Sequence, residues 1–257
     1  MGSTPAEAPA HKTALITGVG RLAGIGAGIA RQLAAEGWDL VLNNWEEYDA
    51  RMPWGIQPDD VVRLTAELEA IGARVLTLPA DLEDPTAADR LITAANEQAG
   101  PLEAMVLSHA ESVDSGILDT TLEAFERHFA VNTRASWQLI AAFARQAAAD
   151  GGAIVALTSD HTAFNVPYGA SKGALDRIVI AAARELGPLG ISANVLNPGP
   201  IDTGWMNHEV REMGTRQQPG GRLGTPADVA GTVAFLVSPA GRWVSGQLIK
   251  SDGGFSA

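Results

Sequence analysis

Thr13-Ala14-Leu15-Ile16-Thr17-Gly18-Val19-Gly20-Arg21-Leu22-Ala23-Gly24-Ile25-Gly26 is the stretch that decides the fold. Its apolar run stops at Gly18, and from Ile25 to Glu36 the apolar spacing turns helical before Gly37 ends it. That is a strand, a turn and a helix in succession. Several glycines in the turn let the backbone approach a pyrophosphate, and the helix N-terminus beyond it faces negative charge. A glycine-rich turn also occurs without any ligand, so the rest of the chain has to supply the context.

The alternation continues outward. Asp39 to Asn43 reads as a second strand, followed by an aromatic segment, Asn44 to Pro58, too long for a minimal connection. A helix from Asp59 has Val61, Leu64, Leu68 and Ile71 on one face. Arg74 to Pro79 is a third strand, with Asp81 and Leu82 just beyond it. A helix after Asp84-Pro85 buries Leu91, Ile92 and Ala95, and Ala104 to Leu107 is a fourth strand ending in Ser108-His109-Ala110. A long helical region from Leu122 to Ala149 carries Asn132 in its middle, an odd place for a residue that competes for backbone hydrogen bonds. Ala153 to Leu157 is strand five and delivers Thr158-Ser159. A helix follows to Leu186, and Ser192 to Asn197 is strand six. Thr203 to Gly224 shows no clear period and reads as a mobile flap holding Trp205 and Met206. Pro226 to Leu236 is a last helix, Gln247 to Lys250 a last strand.

Repeated strand and helix imply parallel pairing with helices on both faces, a doubly wound three-layer α/β sheet. Residues 12–257 read as one domain and residues 1–11 as a flexible leader. Every group singled out falls at a carboxyl strand end, where open parallel sheets bind ligands.

Composition narrows the classes. The 257 residues carry a net charge of −12, so nucleic acid and anionic membrane surfaces are not expected partners. No apolar run approaches the ~18 residues that span a bilayer. With no cysteine, thiolate catalysis is excluded, and a cytoplasmic enzyme fits. The five histidines show no metal-ligand spacing; a metal site from His109, Glu111, Asp160 and His161 would rest on scattered residues.

Pro167-Tyr168-Gly169-Ala170-Ser171-Lys172 sets a phenol and an ammonium four residues apart, on one helical face. A nearby cation and the helix dipole both favour the phenolate, so this pairing predicts a lowered Tyr168 pKa and general acid–base work near neutral pH.

Taken together these residues resemble the short-chain dehydrogenase/reductase family from Lys12 to Gly254, with a single Rossmann-type domain implied. The resemblance rests on Thr17-Gly18 with Gly24-Ile25-Gly26, on Asp81, Asn132 and Ser159, on Tyr168-x-x-x-Lys172, and on Pro198-Gly199-Pro200-Ile201-Asp202-Thr203. It implies that Tyr168 is the acid/base and that Lys172 lowers its pKa and binds the nicotinamide ribose. Ser159 would hold the substrate oxygen and Asn132 a proton-relay water. Gly18, Gly20, Arg21, Gly24, Ile25, Gly26, Asn44, Asp81, Leu82, Ser108, Pro198 and Gly199 would line the cofactor, with Asp81 at the adenine and Ile201 and Thr203 at the carboxamide. The implied activity is NAD(P)(H)-dependent hydride transfer between nicotinamide and a carbonyl or secondary alcohol, on a 3-oxoacyl thioester or another apolar ketone. Relatives are often homotetramers, so a dimer or tetramer is expected.

Three departures stand out. Five residues separate Thr-Gly from Gly-Ile-Gly instead of three, as in the enoyl-acyl-carrier-protein reductase branch. That branch places its Lys seven residues after the Tyr, where this chain has Leu175, so carbonyl reduction is favoured. Leu107-Ser108-His109-Ala110 stands where the family shows Asn-Asn-Ala-Gly, and Ser159 lies only nine positions before Tyr168. At the end of strand two Asn44 replaces the acid that would hold a ribose 2′-OH, while Arg21 could meet a 2′-phosphate. NADP(H) is therefore expected over NAD(H), although Glu46 could swing in. Trp45, Trp54, Trp205 and Met206 are candidates for an apolar substrate wall. The competing class is a non-catalytic nucleotide-binding scaffold of the same fold, which has no need of Asn132, Ser159, Tyr168 and Lys172 together.

Overall fold

The structure is a computed structural model that describes residues 12–257; the expected leader, residues 1–11, lies outside the described residues. Seven strands form one sheet: β1 (Lys12–Ile16), β2 (Trp38–Leu42), β3 (Val75–Thr77), β4 (Leu102–Leu107), β5 (Gly152–Leu157), β6 (Ile191–Asn197) and β7 (Leu248–Lys250). All pair in parallel, in the order β3-β2-β1-β4-β5-β6-β7. The chain winds outward from β1 in both directions, so the order reverses between β1 and β4, and a crevice opens there at the carboxyl ends.

Period-two alternation divides the apolar residues between two layers. Ala14, Ile16, Leu40, Leu42, Val106 and Val155 face α1 (Ile25–Ala35), α3 (Asp60–Ala70) and α9 (Pro226–Val237). Leu15, Val41, Met105, Leu107, Ile154 and Val195 face α4 (Ala87–Ala99), α6 (Ser136–Arg145) and α7 (Val166–Glu185). Central strands buried on both faces read as continuous apolar runs, which is why they were legible.

Helices α1 and α9 touch through Gly28. A Cβ added there would meet the Pro226 Cβ at 2.5 Å and the Pro226 backbone carbon at 2.9 Å. Alanine in a helix interior ordinarily gains ~1 kcal/mol over glycine, but here backbone would have to move. Gly28→Ala is expected to lower stability by about 1–3 kcal/mol, read as a lower urea midpoint with the fold retained.

The segment Asn44 to Pro58, more than a minimal connection, holds a short helix, α2 (Glu46–Arg51). Three expectations are corrected. Ile71 is 55 % exposed because α3 ends at Ala70 and turns it outward. The region read as one helix from Leu122 to Ala149 is α5 (Leu122–His128), a π-turn over Phe129–Ala135, and then α6. The flap is not irregular throughout: α8 (His208–Gln217) is capped by Asn207, whose side chain accepts from the Val210 N–H at 2.9 Å. Its apolar Val210 and Met213 are exposed, so it has no buried stripe for a periodicity to report.

Candidate active site

The glycine turn is held from below. Thr17 Oγ1 accepts from the Ser108 N–H at 3.1 Å and the His109 N–H at 3.4 Å. The His109 Nε2 lies 3.1 Å from the Val131 carbonyl, which can only accept, so Nε2 carries the proton. Nδ1 then accepts from the Thr17 hydroxyl at 2.7 Å. Burial, with the Lys172 charge adding to it, pushes His109 down to about 3. His109 is thus a neutral ring that ties β1 to β4. Gly18 is required here: its φ is +73°, and a Cβ would stand 2.7 Å from the His109 backbone.

Above the turn, Gly24 caps α1, and Gly26 lets that helix close to 3.1 Å of the Gly18 carbonyl oxygen, measured from an added Cβ. The Leu22 N–H is taken by Asp60 Oδ2 at 2.9 Å. Arg21 donates to the Thr203 carbonyl at 3.1 Å, stands 3.7 Å from Asp49 Oδ1, and lies 4.4 Å over the Trp54 ring. Trp54 in turn stacks on Trp205 with centroids 5.1 Å apart. Trp54 and Trp205, candidates for a substrate wall, pack on each other, and Trp54 on Arg21, clasping the flap to the glycine turn. Trp45 stands at the start of α2, 37 % exposed.

The other residues singled out for cofactor contact line the same edge. Asn44 is buried at the end of β2, and its Oδ1 has no hydrogen-bond partner. Asp81 Oδ1 accepts from the Glu83 N–H at 2.8 Å, with Leu82 buried between them. Past β6 and Pro198, Gly199 has φ +65° and abuts Asp252, while Ile201 bridges to Gly224.

Tyr168 stands in the first turn of α7, after Pro167, and Lys172 follows one turn later, its Nζ 5.8 Å from the Tyr168 ring centroid. The expected lowering of the tyrosine is not found. The Lys172 ammonium is turned to the Leu157 carbonyl at 2.9 Å and the His109 carbonyl at 3.4 Å. Burial dominates both groups, raising Tyr168 to about 12 against an opposing hydrogen bond with Ser159. It lowers Lys172 to about 8, with Asp176 opposing. Tyr168 is therefore a protonated donor at neutral pH.

Ser159 reaches Tyr168 despite the short connection, because the loop is tucked against α7. Gly169 permits this; a Cβ there would collide with the His161 carbonyl oxygen. The His161 N–H donates to Ser159 Oγ at 3.1 Å and fixes the turn.

Asn132 sits in the π-turn and is fully buried. Its Oδ1 accepts from the Glu111 N–H at 2.8 Å; its Nδ2 donates to the Glu111 carbonyl and to Ser171 Oγ, both at 2.9 Å. The amide is thereby spent tying the loop after β4 to α7. π-turns recur where a helix must present one residue inward.

Sequence reasoning missed the Arg51–Glu111 ion pair, closed by two bonds of 3.1 and 2.9 Å, and the phenol Tyr48. Both lie on α2 or its contacts, and the only available signal was the aromatic and charged makeup of Asn44 to Pro58. The scattered metal set does not converge: His109 bonds Thr17, Glu111 bonds Arg51, and Asp160 pairs with Lys250 at 3.4 Å.

The chain matches a family model described as enoyl-(acyl carrier protein) reductase over residues 18–256. It is 33 % identical to the uncharacterized oxidoreductase YjdA of Bacillus subtilis, over 95 % of this chain and 97 % of that one. Among solved structures it resembles a blue fluorescent protein from a metagenomic library, in complex with NADPH. That match has a TM-score of 0.85 and 33 % identity, covering 96 % and 98 % of the two chains. It also resembles the angucycline C-6 ketoreductase LanV with bound NADP, with a TM-score of 0.83, 30 % identity and 94 % of each chain covered. These likenesses span nearly the whole chain and its fold: the chain belongs to the short-chain dehydrogenase/reductase family of NAD(P)-dependent oxidoreductases.

Proposed function

We propose that residues 12–257 act as one catalytic unit, an NADP(H)-dependent reductase of an apolar ketone or 3-oxoacyl thioester, or its reverse, an alcohol dehydrogenase. One observation carries this: Tyr168, facing Ser159 and one helical turn before Lys172, stands at the crevice where β4 and β5 end.

The crevice fits a dinucleotide. Gly18 and Gly20 let the turn lie close against His109 and Asp49, where a Cβ would collide, α1 aims its N-terminus at the crevice, and the buried Asn44 Oδ1 awaits a donor. Gly18, Gly20, Gly24, Ile25 and Gly26 would hold the pyrophosphate, and Asp81, Leu82 and Ser108 the adenosine side. Pro198, Gly199, Ile201 and Thr203 would hold the carboxamide. The bound nicotinamide supplies or accepts hydride.

The chain's own groups manage the oxygen. Tyr168 gives its proton to the substrate carbonyl oxygen as the adjacent carbon becomes tetrahedral, and Ser159 donates a second hydrogen bond to that oxygen. Lys172 holds positive charge beside the emerging phenolate, which gains from it at the moment the proton leaves. Asn132 keeps the π-turn docked to α7 and so fixes the pair in place.

Lys172 rather than a Lys at position 175 supports carbonyl over enoyl reduction, and LanV is named as a ketoreductase. Relatives named as oxidoreductases weigh against a non-catalytic scaffold. The acidic chain is read as working in the cytoplasm as a homo-oligomer; among the described residues no helix is long and apolar enough to cross a membrane. Screening ketones and secondary alcohols by nicotinamide absorbance tests the activity, and a panel without turnover would overturn it.

Cofactor choice follows from Asn44, which puts no carboxylate at the end of β2, and from solved relatives that hold NADPH or NADP. NADPH is expected to exceed NADH in kcat/KM by about tenfold or more, equivalent to one charge-assisted contact. A preference for NADH in steady-state rates would reverse the assignment.

A further inference from the structure

The arm between β2 and α3 takes no part in the proton and hydride steps, yet it lies along the crevice. At one end Asp49 is packed on the glycine turn, its Oδ2 2.5 Å from where Gly20 would carry a Cβ, and its Oδ1 accepts from Trp54 Nε1 at 2.8 Å. At the other end Arg51 grips Glu111, which is 3 % exposed just past the turn that follows β4. Tyr48 lies between these anchors, its ring 5.5 Å from the Arg51 guanidinium carbon and 6.4 Å from the Trp54 ring.

The Tyr48 hydroxyl is sealed from solvent and has no hydrogen-bond partner among the described residues. Burial first, then Glu111, Tyr168 and Asp49, raise its pKa, with Arg51 opposing, so the group is a donor at any working pH. A buried donor without an acceptor is costly, and native structures rarely keep one without a use. An oxygen of a bound ligand would supply that acceptor. Arg51 fastens this arm to Glu111, and Glu111 is held on both its backbone groups by Asn132, so the arm reaches toward the reacting half of the crevice as well as toward the glycine turn.

We propose that Tyr48 is a dinucleotide-binding residue, donating a hydrogen bond to a ribose or phosphate oxygen of the nicotinamide mononucleotide half, with α2 as the cover that brings it there. The assignment rests on the NADP(H) reading above.

Isothermal titration of the full chain and of Tyr48→Phe with NADPH and with 2′,5′-ADP tests it. Tyr48→Phe is expected to weaken NADPH by about fivefold to thirtyfold and to leave 2′,5′-ADP, which lacks the nicotinamide half, within twofold. Its melting temperature without ligand should hold or rise, since only an unpartnered hydroxyl is removed; a structural tyrosine would give the opposite. Equal NADPH affinities, equal losses for both ligands, or a rise in substrate KM with NADPH affinity unchanged would each overturn the proposal. A wild-type chain that binds neither NADPH nor NADH would remove the underlying cofactor reading instead.

Discussion

Tyr168→Phe is expected to lower kcat/KM for carbonyl reduction by a factor of 10² to 10⁴, the range spanned by a positioned general acid. The substitution removes one oxygen and leaves the ring on α7. Ser159 keeps its hydroxyl and Lys172 its two carbonyl partners, so the loss isolates the proton donor. Binding of NADPH by titration should change by less than about threefold, because one neutral hydrogen bond at most is lost. Undiminished turnover would remove Tyr168 from the mechanism. Because burial lifts the phenol rather than lowering it, Tyr168 is loaded with its proton at neutral pH, which suits the reductive direction.

The second large effect concerns acid stability, through His109. Its folded pKa of about 3 lies below the ordinary 6.5, so the unfolded chain binds the extra proton first as pH falls. The stability it contributes is complete above 6.5 and is lost progressively down to about 3, on the order of 5 kcal/mol over the window. His109→Asn keeps a donor and an acceptor between Thr17 and Val131 without a titrating ring. Urea midpoints measured from pH 7 to pH 4 should fall more steeply for wild type than for the variant. Parallel curves would show that the imidazole is not the acid-sensitive group.

The central strands and their helices were legible because each buried face imposes its own period. What escaped was polar or short. Helix α8 exposes its few apolar side chains, and α2 has six residues, too few to display a period. The π-turn at Asn132 could be suspected from the residue but not located, since one extra residue in a turn leaves composition unchanged. At the site, the spacing of Tyr168 and Lys172 was readable, whereas the direction of their pKa shifts was not. Those depend on how much protein surrounds each group, and on the Leu157 and His109 carbonyls that occupy the ammonium. Ser159 looked displaced by its short loop because Gly169, which lets the loop lie flat on α7, has meaning only in three dimensions.

The position of β1 in the sheet also governs the order of assembly during synthesis. Its neighbours are β2, close in the chain, and β4, which pairs Thr13 with Leu102. The units β1-α1-β2 and β2-α3-β3 are local and can consolidate as soon as they are made, whereas the floor under the glycine turn waits for β4. Long-range parallel pairing is slow, and unpaired strand edges left open in the interval invite aggregation. A nascent chain stopped before residue 102 would display the glycine turn without its floor and an open sheet edge beside it, so chaperone dependence should peak before β4 emerges.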